Sequence, residues 1–395
     1  MTSTAPARRI ASVDLLRGLV IVIMAIDHTR DFVHWAAMDF RPDDLARTTA
    51  PIFFTRWITH FCAPVFMFCA GLGAWFRLDR GGSVRDLSRF LWTRGLWLIV
   101  LELTVVRLGF FLNVKYDVII LLVFWVLGLS MIVLAGLVRL PYRAILGVSI
   151  GLIVVHNAFD GVQAQSLGSL GWLWYVLHQQ GLMTPGPPAV ILAYPLVPWA
   201  AVMALGFCAG RLYRLPGDER RKMLMRIGVA VTLAFVVVRG INVYGDPRPW
   251  AGQGTIAMTI ISFLNCTKYP PSLSFLLMTL GPALIFLSVA DRARPREWNP
   301  LMVFGRAPLL FFVVHLPLIR VLAIALTAAT YGRAPFLFVP PPTLGTARTV
   351  FPAHYGWDLW VVYAVWLVVI ALMYPLCRWF VNLRQRRRDP WLSYL

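Results

Sequence analysis

Residues 118–138 read VIILLVFWVLGLSMIVLAGLV, a run without one charged side chain. At 1.5 Å per residue, a helix of this length crosses the roughly 30 Å hydrocarbon core of a bilayer. Residues 161–210 also contain no Asp, Glu, Lys or Arg. Hydrophobic types make up 59% of the 395 residues and charged types 14%. An ordinary soluble enzyme is therefore excluded, because so large an apolar surplus must face lipid.

The criterion of about 20 apolar residues predicts an all-α, polytopic integral membrane protein with about ten transmembrane helices. The predicted spans are 12–32, 52–76, 90–111, 118–138, 142–158, 190–211, 223–241, 271–290, 307–330 and 358–380. The loops are too short for a separate soluble domain, so we expect residues 1–395 to form a single transmembrane domain. The longest loops, all predicted on the outer side, are 28–51, 159–189, 242–270 and 331–356.

The distribution of positive charge predicts the orientation of these spans. Lys and Arg total 37 against 18 Asp and Glu, a net charge of +19. The loops on one side, together with Arg8, Arg9 and the tail LRQRRRDP, hold roughly twice as many Lys and Arg as the alternate loops. Because cationic loops stay cytoplasmic, we expect both termini inside. The excess charge is then an orientation signal, and we expect no nucleic-acid partner.

Common signatures of soluble enzyme chemistry are missing from the sequence. Its five Cys have neither CxxC nor Cys/His ligand spacing, so we expect no disulfide framework, no zinc site and no other metal. The sequence contains no GxSxG, P-loop, HExxH or Rossmann pattern. Hydrolysis by an elbow serine and use of ATP are therefore unsupported.

The first span carries acids and bases at both ends, which is unusual because an ionisable group within a membrane span costs a few kcal/mol. At the inner end, Asp14 and Arg17 are spaced i, i+3, which favours a structural or gating ion pair. At the outer end, one helical stripe carries Asp27, Arg30, Asp31 and His34, and His28 lies about 100° around the helix. A carboxylate one turn from an imidazole can orient it as a general base. The alternative is a solvated helix end.

Three further polar residues are predicted near the same outer surface. His60 begins the second span in WITHFCAPVF, where we expect Pro64 to kink the helix and open space. Lys268 and Tyr269 precede the eighth span, and Lys268 could bind an anionic or hydroxylated acceptor. A structural His60 and a Lys268 that snorkels to the interface are the competing interpretations.

His315 lies about 12 Å into the bilayer from the inner side, eight residues beyond Ala307. An imidazole at that depth needs a partner or a hydrated pore, and Glu102 is a candidate partner at similar depth. His315, Glu102 and Arg320 also support a second hypothesis, a proton-coupled transporter or flippase. Many transporters show inverted repeats with broken helices, and the sequence shows no convincing pair of this kind.

The residues also carry a family resemblance. RIASVDLLRGLVIVIMAIDHTRDFVH (9–34) and TRWITHFCAPVFMFCAG (55–71) resemble the opening of the heparan-alpha-glucosaminide N-acetyltransferase catalytic domain and its bacterial relatives. YPLVPWAAVMALGFCAGRLY, KYPPSLSFLLMTLGPAL and FGRAPLLFFVVHLPLI resemble later segments of the bacterial branch. The resemblance therefore covers nearly the whole chain.

The resemblance implies an acyltransferase in a bacterial inner (cytoplasmic) membrane. It would move an acetyl or other acyl group from acyl-CoA, with acetyl-CoA as donor substrate, to an amino sugar or other envelope glycan acceptor on the outer side. The family's SVDxxRG start matches Ser12 to Gly18, and its catalytic Asn and His fall on Asp27 and His34, with His28 as a rival. The histidine would act as general base or acyl carrier. Implied partners are the lipid bilayer, acyl-CoA, the glycan acceptor and, as an open alternative, a second copy in a homodimer. The predicted substrate-binding residues are Arg30, His60, Lys268, Tyr269 and His315.

Overall fold

The computed structural model describes residues 10–339, 342, 346–387 and 389. The predictions that involve Arg8, Arg9, part of loop 331–356 and the end of the tail lie outside the described residues. The described helices are α1 Ala11–Val33, α2 Ala50–Trp57, α3 Cys62–Asp79, α4 Val84–Leu101, α5 Arg107–Phe111, α6 Val123–Leu137, α7 Tyr142–Val155, α8 Gly171–Leu177, α9 Leu196–Ala209, α10 Gly217–Ile241, α11 Ile256–Leu264, α12 Leu273–Ala290, α13 Pro300–Arg306, α14 Pro308–Tyr331 and α15 Leu359–Arg386. The described strands are β1 Val118–Leu121, β2 Gly181–Thr184 and β3 Ala189–Leu192.

Seven helical segments of the described chain are long and apolar enough to span a membrane. They are Ala50–Asp79, Tyr142–Phe159, Leu196–Arg214, Gly217–Ile241, Leu273–Ala290, Pro308–Tyr331 and Leu359–Arg386. The other three predicted spans fall on α1, on α4 with α5, and on α6, which is only 15 residues long. The all-α polytopic membrane fold is confirmed, and the number of ten spans stays a prediction.

A small three-stranded sheet corrects the boundaries of two predicted spans. The predicted spans 118–138 and 190–211 begin in strands, because β1 pairs in parallel with β3 and β3 pairs antiparallel with β2. Val118–Leu121 and Ala189–Leu192 are short apolar runs rich in β-branched residues, and hydrophobicity alone does not separate such a run from the start of a buried helix. Pairing with strands from distant parts of the chain makes these two runs strands and not the first turns of helices.

Helix α1 packs against α3, α12, α13, α14 and α15. Two glycines permit its close approach to α13. A Cβ atom at Gly18 would lie 1.9 Å from the backbone oxygen of Leu301, and one at Gly305 would lie 1.8 Å from that of Asp14. Small residues commonly allow such backbone contacts between membrane helices. The close packing of α1 against α13 therefore depends on the lack of a side chain at Gly18 and at Gly305.

The start of α1 and the end of α15 lie at the same end of the protein. Arg384 in α15 donates to the backbone oxygen of Arg306 at 3.4 Å, and Arg306 lies 3.7 Å from Asp14 in α1. This is the end at which the charge pattern predicts the cytoplasm. The opposite end of α1, with Asp27 and His28, faces the loops predicted to be outside.

Candidate active site

The outer end of α1 forms a buried charge network. Arg30 donates to Asp27 Oδ1, about one helical turn earlier, at 3.1 Å. It also donates to Asp31 Oδ1, on the next residue, at 2.6 Å. Arg56 from α2 forms an ion pair with the second oxygen of Asp27. Because two guanidinium groups hold Asp27, its carboxylate is better suited to positioning cations than to accepting a proton. Arg56 was not predicted from the sequence as a site residue, although it precedes His60 by about one helical turn.

A cavity of about 580 Å³ opens beside this network. Of the predicted site residues, the cavity lining includes Asp27, His28, Arg30, His60, Lys268 and Tyr269. It does not include His34 or His315. Further polar lining residues are Asp31, Arg41, Asp43, Arg56, Thr59, Gln180, Tyr194, Arg248 and Thr267. The fold therefore brings together α1, the α2–α3 segment, the loop before α12 and the small sheet.

His28 is half-buried on the cavity wall, and its Nδ1 has no hydrogen-bond partner among the described residues. Its ring centroid lies 5.2 Å from that of His315 in α14. His315 is fully buried; its Nδ1 donates to the backbone oxygen of Phe312 at 2.7 Å, and its Nε2 has no partner in the described chain. The two imidazoles are therefore neighbours, with that of His28 on the cavity wall and that of His315 buried within the membrane-spanning helix α14.

The expected partnership of His315 with Glu102 is wrong. Glu102 lies in a π-helical turn, Glu102–Val106, and its carboxylate accepts from the backbone N–H groups of Phe124 at 2.8 Å and Trp125 at 3.2 Å. These donors belong to the start of α6, which otherwise leaves N–H groups without partners. Glu102 thus caps a helix, whereas His315 contacts His28.

His34 lies away from the cavity, where α1 ends. It follows the last residue of α1, its backbone forms an isolated parallel bridge with Trp357, and its ring centroid lies 5.4 Å from that of Trp35. Burial lowers the pKa of His34 to about 4, with Arg30 adding to the effect and Asp358 opposing it. His34 is therefore a neutral imidazole at neutral pH, 2% exposed.

His60 reaches the cavity through a break in the second predicted span. The segment Ile58–Phe61 is a 3-10 turn between α2 and α3. Pro64 lies in the first turn of α3 and has no N–H to donate to the carbonyl of His60, which explains why regular α-helix stops here. His60 packs on Phe275 with ring centroids 5.2 Å apart, and its Nδ1 lacks a partner among the described residues.

Lys268 and Tyr269 line the cavity from the loop before α12. The Tyr269 and Tyr194 hydroxyls are 3.1 Å apart, and Lys268 Nζ lies 5.2 Å from the centroid of the Tyr269 ring. Burial alone would raise the pKa of Tyr269, but the nearby cations of Lys268 and Arg56 outweigh it and lower that pKa. Within the described chain, Lys268 has no carboxylate within salt-bridge distance, and this cation remains available to a ligand.

Asp43 closes the loop side of the cavity. It forms ion pairs with Arg41 at 3.0 Å and with Arg248 at 2.9 Å. Burial would raise the pKa of Asp43, but the two guanidinium groups hold it at about 2. The loop between α1 and α2 is thereby tied to the loop between α10 and α11. Since five basic and three acidic residues line the cavity, it favours an anionic or electron-rich ligand.

Asp14 and Arg17 lie at the other end of α1. Their side chains are 3.8 Å apart, Arg306 lies 3.7 Å from Asp14, and Arg17 also donates to the backbone oxygen of Cys69 at 2.9 Å. These partners come from α1, α13 and α3. The pair joins helices and does not line the cavity.

The fold and the cavity define a multi-pass membrane protein with a buried, histidine-bearing polar site. Residues 9–244 match the family model described as heparan-alpha-glucosaminide N-acetyltransferase, catalytic. The match covers more than half of the chain, so the protein belongs to this family of transmembrane acetyltransferases. The predicted resemblance is confirmed for residues 9–244, and beyond residue 244 it stays a prediction. The family uses acetyl-CoA as donor. A comparison with curated proteins found no match.

Proposed function

We propose that this protein transfers an acetyl or other acyl group from acyl-CoA to an amino sugar or related glycan acceptor on the outer side of the membrane, with His28 as general base. The observation that supports this proposal most is the position of His28. It lines a cavity together with cations and hydroxyl groups, and its Nδ1 has no partner among the described residues. Acyl transfer from a thioester requires these groups in one place.

His28 suits the role of base better than His34 does. A general base must come within hydrogen-bond distance of the acceptor proton. His28 lines the cavity and His34 does not, and His34 is held between Trp35 and the bridge to Trp357. We therefore assign the catalytic role to His28, and we assign to His34 the anchoring of the end of α1.

The proposed reaction begins with attack by the acceptor on the thioester and ends with release of CoA. The acceptor nitrogen or oxygen attacks the thioester carbonyl, and His28 accepts its proton. Arg56 lines the same cavity and stabilises the negative charge that develops on the carbonyl oxygen, while Lys268 binds the acceptor. The carbon–sulfur bond then breaks, and His28 returns the proton to the departing thiolate, so that free CoA leaves. Asp27 acts by holding Arg30 and Arg56 in position.

The test is acyl transfer by the purified protein in liposomes. Acetyl-CoA labelled in the acetyl group is supplied with a glucosaminide acceptor, and we expect label in the acetylated sugar together with stoichiometric free CoA. Proton-driven uptake of a solute without consumption of acetyl-CoA would contradict the proposal and favour the transporter hypothesis.

A matched pair of lysine variants tests the ligand side of the cavity. In Lys268→Gln the acceptor loses its cation, and we expect the acceptor KM to rise about tenfold with a smaller change in kcat. Lys115→Gln, in an exposed loop, is the control and should match the wild type. Equal KM values in the two variants would remove Lys268 from the proposed binding site.

A further inference from the structure

A second cluster of ligating side chains lies outside the cavity lining. His156 is in the turn that follows α7, Asp160 comes four residues later, and His178 follows α8. One ligating atom from each, a ring nitrogen or a carboxylate oxygen, lies within 4.8 Å of the other two. His178 Nε2 and Asp160 Oδ1 are 3.1 Å apart, and the His156 and His178 ring centroids are 5.6 Å apart. Among the described residues, this is the one group of three such side chains so arranged.

The hydrogen bonding of His156 points to a ligand. His156 is only 3% exposed, yet neither of its ring nitrogens has a hydrogen-bond partner in the described chain. Buried polar groups in folded proteins are almost always paired, since an unpaired one has lost its water without replacement. A bound cation would accept the lone pair of one His156 nitrogen and account for its burial.

We propose that His156, Asp160 and His178 bind a divalent transition-metal ion, for which Zn²⁺ fits best. Two imidazoles and one carboxylate form a familiar zinc donor set, with a water in the fourth position. Ligand atoms about 2.0–2.2 Å from zinc in a tetrahedron lie about 3.4 Å from one another. The Asp160–His178 distance of 3.1 Å is close to this value. The His156 nitrogen lies within 4.8 Å of the other two ligand atoms, so it must come closer to them by at most about 1.4 Å.

Asn157 supports the geometry from outside the donor set. Its Nδ2 donates to Asp160 Oδ2 at 2.7 Å, which orients the carboxylate and leaves Oδ1 directed at His178. Its Oδ1 accepts from the backbone N–H of Leu273 at the start of α12. Hydrogen bonds of this kind commonly orient metal-ligating side chains. The site would therefore link the ends of α7 and α8 to the start of α12.

The ion would have a positioning role for the cavity. Gln180 lines the cavity and follows His178 by two residues, immediately before β2. Fixing His178 to His156 and Asp160 would order the segment between α7 and β2. Binding of the ion would then stabilise this wall without any contact with the reacting groups.

Metal analysis of the full-length protein tests this proposal. The purified protein is stripped with a chelator, exposed to Zn²⁺, desalted and analysed for zinc per chain. We expect about one tightly held zinc in the wild type and less than about a tenth of that in His156→Gln and Asp160→Asn. His354→Gln, which removes an exposed loop imidazole, should retain zinc like the wild type.

Co²⁺ provides a measurement that does not depend on the folding of variants. Loading the wild type with Co²⁺ should give the visible absorption of a tetrahedral site, and Zn²⁺ should raise the thermal midpoint of the stripped wild type. A folded wild type that shows no such absorption and holds no zinc would overturn the proposal. Zinc retained equally by His156→Gln and Asp160→Asn would overturn it as well.

Discussion

Helix α1 contains the same pair of residues twice, Asp14 with Arg17 and Asp27 with Arg30, and the two pairs have different surroundings. At the inner end, the pair lies 3.8 Å apart and its other partners are Arg306 and a backbone carbonyl, all within helix contacts. At the outer end, the Arg30 guanidinium lies 3.1 Å from Asp27 Oδ1, and both residues line the cavity together with His28. Spacing alone therefore does not distinguish an ion pair that joins helices from one that positions a reactive site.

The difference arises from what approaches each pair. Gly305 brings the backbone of α13 against Asp14, so that the inner end is filled with protein. At the outer end, the 3-10 turn Ile58–Phe61 and the loop before α12 instead line the cavity. We therefore expect the inner pair to contribute mainly to stability and the outer pair to contribute to activity.

The largest expected effect separates the two histidines at the outer end. We expect His28→Gln to lower kcat at least about a hundredfold, because the general base is lost. His34→Gln should lower kcat less than about tenfold, since His34 only anchors the helix end. Steady-state acyl transfer measures both, and an unchanged gel-filtration profile controls for folding. The reverse order of effects would move the catalytic role to His34.

The comparison of the two ion pairs can be tested with matched variants. Arg30→Gln leaves Asp27 with one guanidinium partner, and we expect kcat/KM to fall about tenfold or more as Arg56 shifts. Arg17→Gln should lower the thermal midpoint and leave kcat within about twofold of the wild type, because the inner pair does not line the cavity. A loss of kcat in Arg17→Gln as large as that in Arg30→Gln would contradict the division between the two ends.

Glycine variants test the packing of the inner end. A Cβ atom in Gly305→Ala would collide with the backbone of Asp14, and we expect a destabilisation of about 1–3 kcal/mol or more, measured as a lower denaturation midpoint. Gly136→Ala in α6 is the control, because no heavy atom lies within 4 Å of the added methyl group. Equal midpoints for the two variants would show that α13 does not hold α1 as described.

The smallest expected effect is a pH dependence that His34 confers. Its pKa is about 4 in the folded protein and near 6.5 when unfolded. Between these values the unfolded state binds more protons, so this contribution to stability is complete above pH 6.5 and is lost as the pH falls towards 4. The drop in denaturation midpoint between pH 7 and pH 5 should therefore be smaller in His34→Gln than in His354→Gln. An equal drop in denaturation midpoint in the two variants would contradict the lowered pKa of His34.

Much of the outer site could be predicted from sequence because it lies within one helix. The i, i+3 and i+4 spacings of Asp27, Arg30 and Asp31 determine which side chains meet, whatever the rest of the chain does. Charge within an apolar run also marks His60 and His315 as unusual. These signals are local, and the structure places Asp27, Arg30 and His60 together at the cavity.

The rest depends on contacts between distant segments. Arg56 was not predicted from the sequence, because its ion pair with Asp27 depends on the packing of α2 beside α1. Glu102 could not be assigned to the start of α6, because a carboxylate offers no sequence signal of the backbone it will cap. The expectation of no metal stays a prediction; it was based on spacing along the chain, which gives no signal that His178, after α8, lies beside His156 and Asp160.

A density map of the protein with acetyl-CoA, or with an analogue that cannot transfer its acyl group, tests the central claim most directly. The account predicts the thioester carbonyl inside the cavity of about 580 Å³, within hydrogen-bonding reach of Arg56 and beside the ring of His28. A thioester placed next to His34, or bound with no path to His28, would contradict it.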